Sequence, residues 1–419
     1  MPAMPQIQGF DDPSYNPFDS DEVNFGSNPD PYPAIAAWRA EAPVLPGSYR
    51  SRMRLPDAMI AAGEHFTVVG TAEVTETLNN PARFSNSGYK SNLGETFGQG
   101  SISTMDPPEH SQYRRIFQKI FLPQHVKTWG STIVDPVVHD LMDKFLDRGE
   151  ADLIEEFTLR YPFEVIYKQL DLPRSDVRAF QRLAIGQTDY VNSDKAIEAG
   201  IKLGAYFKGL VDARRAEPGD DLVSLLATTE VDGEYLPELV LISFLRQLMN
   251  AAGDTTYRGT SVLLTALLEN PDQFEAIRQD RGLIPQAIEE ALRWDGPVAV
   301  QLRVAAEDMV LGGVQVPAGA KLDVVAGAAN RDPALYPDPD RFDIFRDRKP
   351  HWAFSRGAHI CVGQHLARVE MTRALHAVLD HLPNLRFDPD RPKPEIRGTM
   401  MRVPKHLYVR FDRAPVMAA

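Results

Sequence analysis

One stretch constrains this chain more than any other: Phe354-Ser355-Arg356-Gly357-Ala358-His359-Ile360-Cys361-Val362-Gly363, a loop that leads straight into an apolar helical pattern. It carries the only cysteine among 419 residues. A sulfur at the start of a helix meets unpaired N–H groups and the positive end of the helix dipole, which lower a thiol's pKa and favour the ionised, metal-binding form. Gly357 and Gly363 let the backbone turn tightly and come close to a flat ligand. Phe354 is placed to shield the sulfur, and His359 to donate to an anionic group at the ligand's edge. Cys361 is therefore the candidate metal ligand, and the fold has to bury what it binds.

The pattern Phe-x-x-Gly-x-His-x-Cys-x-Gly resembles the haem-thiolate loop of the cytochrome P450 family, with Ser355 where many members carry glycine. The resemblance implies haem b (iron protoporphyrin IX) with an axial thiolate from Cys361. Three other readings of a lone cysteine stand beside it: an inert buried thiol, a small metal site of His359, Cys361 and His365, and a nucleophile.

Composition sets the outer limits. Hydrophobic content of 43% and charged content of 25% are those of an ordinary globular chain. A net charge of −13 argues against nucleic acid or an anionic membrane surface as partner. One cysteine excludes an internal disulfide and fits a cytoplasmic location. Residues 1–30 read as a polar N-terminal extension with no signal peptide or anchor. The longest apolar stretch, Pro237 to Asn270, is interrupted by Glu238, Arg246, Asp254, Arg258 and Glu269, so it reads as a long helix of a water-exposed protein and not a bilayer span.

Elsewhere, His65 to Gly70 reads as a strand before a helix near Thr71, Arg303 to Val316 as paired strands around Gly312-Gly313, and Lys321 to Val325 as another strand. Most of the remainder has helical period. The fold class expected is mainly α with small β-sheets (α+β), similar to the P450 fold with its long central helix over a buried haem. Residues 1–419 form one haem domain on this reading. No Gly-x-Gly-x-x-Gly fingerprint follows a strand, so no fused reductase is expected.

Three further constellations carry chemistry. Within the long pattern, Ala251-Ala252-Gly253-Asp254-Thr255-Thr256 puts an acid and a poor helix former into an apolar helix. Asp254 could simply pair with Arg258 at i+4, and Thr255 could bond back to the Ala251 carbonyl. The segment also resembles the P450 distal helix. That resemblance makes Asp254 and Thr255 the catalytic pair, feeding protons to where O2 is activated, although the family's glycine falls at Ala252 and Gly253 takes the variable slot. Next, Glu290 and Arg293 share a helix face at i, i+3. With Arg341 in Pro339-Asp340-Arg341-Phe342 they resemble the family's structural network.

The last constellation is Asp106-Pro107-Pro108-Glu109-His110, which reads as a capping box, with Asp106 as N-cap and Pro107 at the first helical position. It places His110 and Arg114 on one face of the following helix. By resemblance, His110, Arg114, Arg303 and His359 bind haem propionates, and Phe354, Cys361 and Gly363 complete the cofactor-binding set.

The resemblance implies a haem-thiolate monooxygenase, an O2-dependent oxidoreductase that hydroxylates or otherwise oxidises a small-to-medium apolar organic substrate. Electrons come from a separate ferredoxin with its NAD(P)H-dependent reductase, docking near Arg115, Lys119 and Arg356. The chain is expected to act as a monomer, with no membrane partner. Family topology puts Gly88 to Ile102, Gly186 to Val191, Val298, Ala299, Val300, Met400 and Met401 around the substrate, with Tyr89, Lys90 and Ser91 as an anchor for an acidic guest. The alternatives are a peroxide-driven haem-thiolate enzyme and a haem-based binding or sensor protein.

Overall fold

The central helix, Glu238–Glu269, runs on the order of 48 Å at ~1.5 Å rise per residue. Its ends are set as the prolines demand: Pro237 and Asn270 flank it and Pro271 opens the next helix. In the computed structural model, which describes residues 5–56, 62–173, 176–231 and 233–412, nearly every side chain from Thr256 to Leu267 on this helix is buried. It packs against the helices Tyr161–Gln169, Val177–Gly186, Ser193–Ala216, Ile284–Asp295 and Gln364–His381, and together they form the largest core.

The β part is small and sits to one side. A five-stranded sheet has the order Val44–Pro46, His65–Val68, Lys321–Val324, Gln301–Ala305, Phe84–Ser85. Only the His65–Val68 and Lys321–Val324 pair is parallel. Gly312-Gly313, both at positive φ, turn a separate hairpin of Met309–Leu311 on Val314–Val316. The expected pairing of Arg303 with that hairpin is not what forms, because Arg303 lies in Gln301–Ala305, which pairs with Lys321–Val324 instead.

The polar residues 5–30 are drawn onto the domain. Phe10 and Phe25 are buried, and Phe10 lies against Gly186, where a Cβ would come within 2.5 Å of its ring. Short-range polarity pointed to an extension, but two aromatic anchors suffice to seat a segment of this length, each burying on the order of 150–250 Å².

Among the described residues no helix is long and apolar enough to cross a membrane.

Candidate active site

The loop before Cys361 is held by backbone turns. Cys361 N–H donates to the Phe354 carbonyl at 2.9 Å, and Ser355 adopts φ +61, the left-handed region where glycine costs least. Its hydroxyl donates to Gln301 Oε1 at 2.7 Å, a local bond that favours the strained turn. Gly357, at φ +68, rests on protein, since a Cβ there would meet the Leu78 carbonyl oxygen at 2.4 Å. A Cβ on Gly363 would meet nothing within 4 Å, so of the two glycines only this one faces open space.

Cys361 and Ala251 are exposed and Thr255 half-exposed, although their surroundings are buried. Ala251 and Thr255 lie on the central helix, and Cys361 just before the helix Gln364–His381 that packs against it. Protein walls the sulfur on its other sides, and this burial pushes the thiol's pKa up; the N–H groups of Gly363 and Gln364 and the charges of Arg114 and Arg368 act downward. The helix-start donors work in the expected direction, but desolvation outweighs them. Among the described residues no group of three or more His, Cys, Asp or Glu could hold a metal ion, which removes the small site of His359, Cys361 and His365.

His110 and Arg114 arise from the helix Glu109–Ile120, Arg303 from the sheet and His359 from the Cys loop. The His110 and His359 rings lie 4.0 Å apart. Burial, then the Arg114 charge, pushes His110 down to about 4; burial, then His110, Arg303 and Arg114, pushes His359 down to about 2. Both imidazoles are neutral at pH 7 and still carry an N–H to donate. His110 Nδ1, His359 Nε2 and Arg303 Nη2 are buried with no hydrogen-bond partner. Native interiors seldom leave such atoms unpaired, so three converging on one spot call for an anionic, multi-acceptor partner.

The helix start beside them differs from the expected capping box. Pro108 is the N-cap and no side chain caps it. Two consecutive prolines remove the amide donors that an aspartate would accept from. Asp106 instead accepts from Asn86 N–H at 2.8 Å and from the Ser85 hydroxyl.

On the central helix, Thr255 Oγ1 donates to the Ala251 carbonyl at 2.9 Å, which leaves its lone pairs free to accept. Asp254 is buried and accepts from Arg258 Nε at 2.9 Å. Both i, i+4 contacts foreseen from the spacing are therefore made. Burial pushes the Asp254 carboxyl up while Arg258 opposes it. Gly253 points the other way: a Cβ there would come within 2.3 Å of Phe163, so its slot serves close helix packing and not the ligand.

On the thiolate side, Glu290 accepts from Arg293 through both Nε and Nη2 at 2.8 Å. The third arginine is Arg346, at 3.3 Å, and not Arg341. Phe342 takes the inward position, so its neighbour Arg341 turns to solvent and offers only its carbonyl, to Arg293 and Arg346. Sequence reasoning also missed Glu289, which accepts from Arg368 at 2.6 Å and contacts His351 at 3.1 Å, tying the loop before Cys361 to the helix after it. Arg368 in turn lies over the Phe354 ring at 4.3 Å.

Val298 and Met401 meet in an isolated bridge, and Ala299 N–H donates to the Met400 carbonyl at 2.9 Å, so the two expected pocket segments come together. Ala299, Val300 and Met400 pack into a side core with Tyr32, Tyr49 and Val325. Tyr89 is tied to the sheet, where its hydroxyl accepts from Leu302 N–H at 2.7 Å, and Ser91 turns back to the Gly88 carbonyl.

A helical body with small sheets, a cysteine loop leading into a helix, and an acid–threonine pair on the long central helix are the marks of a haem-thiolate class of oxidoreductase. The cytochrome P450 family model matches residues 210–411. The chain is 33% identical to the monooxygenase PikC of Streptomyces venezuelae, over 92% of both chains. It is 32% identical to nocardicin C N-oxygenase of Nocardia uniformis subsp. tsuyamanensis, over 91% of this chain and 95% of that one. The crystal structure of CYP109E1 from Bacillus megaterium with testosterone superposes with a TM-score of 0.81 at 26% identity, covering 93% and 99%. This chain belongs to the cytochrome P450 family and is a haem-thiolate monooxygenase of bacterial type. The unpaired donors of His110, Arg303 and His359 fit the acidic edge of a haem, and Cys361, exposed two residues after His359, would hold its iron.

Proposed function

We propose that this chain inserts one oxygen atom from O2 into a small-to-medium apolar organic substrate, with electrons from a separate ferredoxin and its NAD(P)H-dependent reductase. The observation that supports the reading is the convergence of unpaired His110, Arg303 and His359 nitrogens at the loop that carries Cys361. Cys361 would hold haem through its thiolate, with His110, Arg114, Arg303 and His359 toward its propionates, and the bound group would supply the O2 activation.

The chain supplies the rest. Thr255 Oγ1, its proton committed to Ala251, accepts from a water and orients it. Asp254, kept from easy ionisation by burial, exchanges a proton with that water as general acid. Val298 and Met401, half-buried and facing each other, shield the site from water with apolar surface. Exposed Arg115 and Lys119, on the helix that carries His110, offer a cationic edge to an acidic ferredoxin. The relatives fit an organic guest of this size: one is named for N-oxygenation of nocardicin C, and one structure holds testosterone.

Optical titration of the ferric protein with terpenes, steroids, fatty acids and aromatic acids tests the reading. A shift to the high-spin band with one class names that class. Turnover with peroxide but none with NADH and ferredoxin would replace the monooxygenase reading with the peroxide-driven one.

A further inference from the structure

Arg258 is 1% exposed and lies between two acids. Its Nε donates to Asp254 Oδ1 at 2.9 Å, while Nη1 and Nη2 reach Asp21 Oδ2 and Oδ1 at 3.1 and 2.6 Å. The guanidinium is also stacked near the rings of Phe25 and Tyr257, at 5.4 and 5.1 Å. Asp21 is 27% exposed, against 3% for Asp254, and is the most open member of this chain of charges. Its helical turn, Asp21–Phe25, is fixed from the other side: Asn24 donates to Asp189 at 2.9 Å and accepts from Val191 N–H at 3.0 Å. The connection that includes Asp189 and Val191 also bonds the central helix, through Gln187 to the Arg246 carbonyl at 3.1 Å.

Resting on the reading of Asp254 as proton donor, we propose that Asp21 is a positioning residue for that carboxylate. By occupying the outer fork of Arg258, Asp21 confines Asp254 to the single Nε bond. The second Asp254 oxygen, which accepts no bond from another described residue, stays available to water. Without Asp21, the fork is left buried and unpaired, a costly state that is relieved when it folds onto Asp254 and takes both of its oxygens. Asp254 would then be held ionised and would release and regain a proton more slowly.

The test compares Asp21→Asn, Asp21→Glu and Asp254→Asn in the full-length protein. Expected for Asp21→Asn is a severalfold rise in peroxide released per NADH and a larger solvent isotope effect on turnover. The substrate dissociation constant from optical titration should stay within about twofold, and Asp21→Glu should recover most of the coupling. A second readout needs no turnover: the infrared carboxyl band assigned through Asp254→Asn should move in Asp21→Asn, in haem-free and haem-loaded protein alike. An unmoved band with unchanged coupling would overturn the proposal. If Asp254→Asn itself leaves coupling intact, the reading of Asp254 has failed; if only Asp21→Asn is silent, the positioning role alone has failed.

Discussion

The protein around Cys361 presents two charged faces that are built in opposite ways. In one, two carboxylates are answered by protein: Glu290 by Arg293, Arg346 and the Asp343 N–H, and Glu289 by Arg368 and His351. In the other, buried nitrogens of His110, Arg303 and His359 are left unanswered. Both regions cost desolvation energy, but only the first recovers it within the chain. A region that completes itself serves as frame, and one left incomplete is shaped for a ligand.

That contrast can be broken most severely at Arg293. Arg293→Ala removes the two shortest charged bonds of the buried Glu290 carboxylate, leaving it Arg346 and the Asp343 N–H, and should cost about 3 kcal/mol, read as a large fall in denaturation midpoint whether or not haem is present.

Arg303→Met separates the two faces by sign. It removes an unanswered buried donor and should stabilise the haem-free protein by about 1 kcal/mol, while weakening haem retention about 10–100-fold in transfer to apomyoglobin. A loss of stability in both forms would show that Arg303 belongs to the frame.

Glu289 gives the pH-dependent test. Its hydrogen bonds to His351 and Arg368 overcome the cost of burial and hold its pKa down to about 2, against 4.5 ordinarily. A depressed folded pKa adds stability above the unfolded value. That contribution should be intact above pH 4.5 and fade as the pH falls through about 2. Glu289→Gln should therefore cost about 2 kcal/mol at pH 7, allowing for the water that reaches its carboxylate, and its difference from the parent should shrink in acid.

The smallest effect belongs to Ser355→Gly. Relief of the left-handed backbone, about 1 kcal/mol, is offset by loss of the bond to Gln301, leaving a melting change under about 1 kcal/mol with an unaltered haem spectrum.

What sequence made legible follows the same division. The Cys361 loop and the Asp254–Thr255 pair are local patterns, and the ends of the central helix are marked by prolines, so short-range chemistry sufficed. Choosing between Arg341 and Arg346 depended on which side of an irregular segment faces inward, and no periodicity reaches that. The capping box failed because the prolines that mark a helix start also remove the donors a cap needs. Asp21 and Glu289 escaped notice because their partners lie far along the chain, or in a loop with no repeat to announce them. Neither residue carries a local sequence signal of its partner.

Gly357 leans on the Leu78 carbonyl, at the end of a helix that belongs to the first quarter of the sequence. The loop that presents Cys361 thus takes its shape against a surface synthesised long before it. Loop closure over so long a separation comes late and slowly. Capture of the cofactor should therefore follow docking of the early strand–helix unit, so that the order of assembly, as much as the motif, decides when the thiol becomes a ligand.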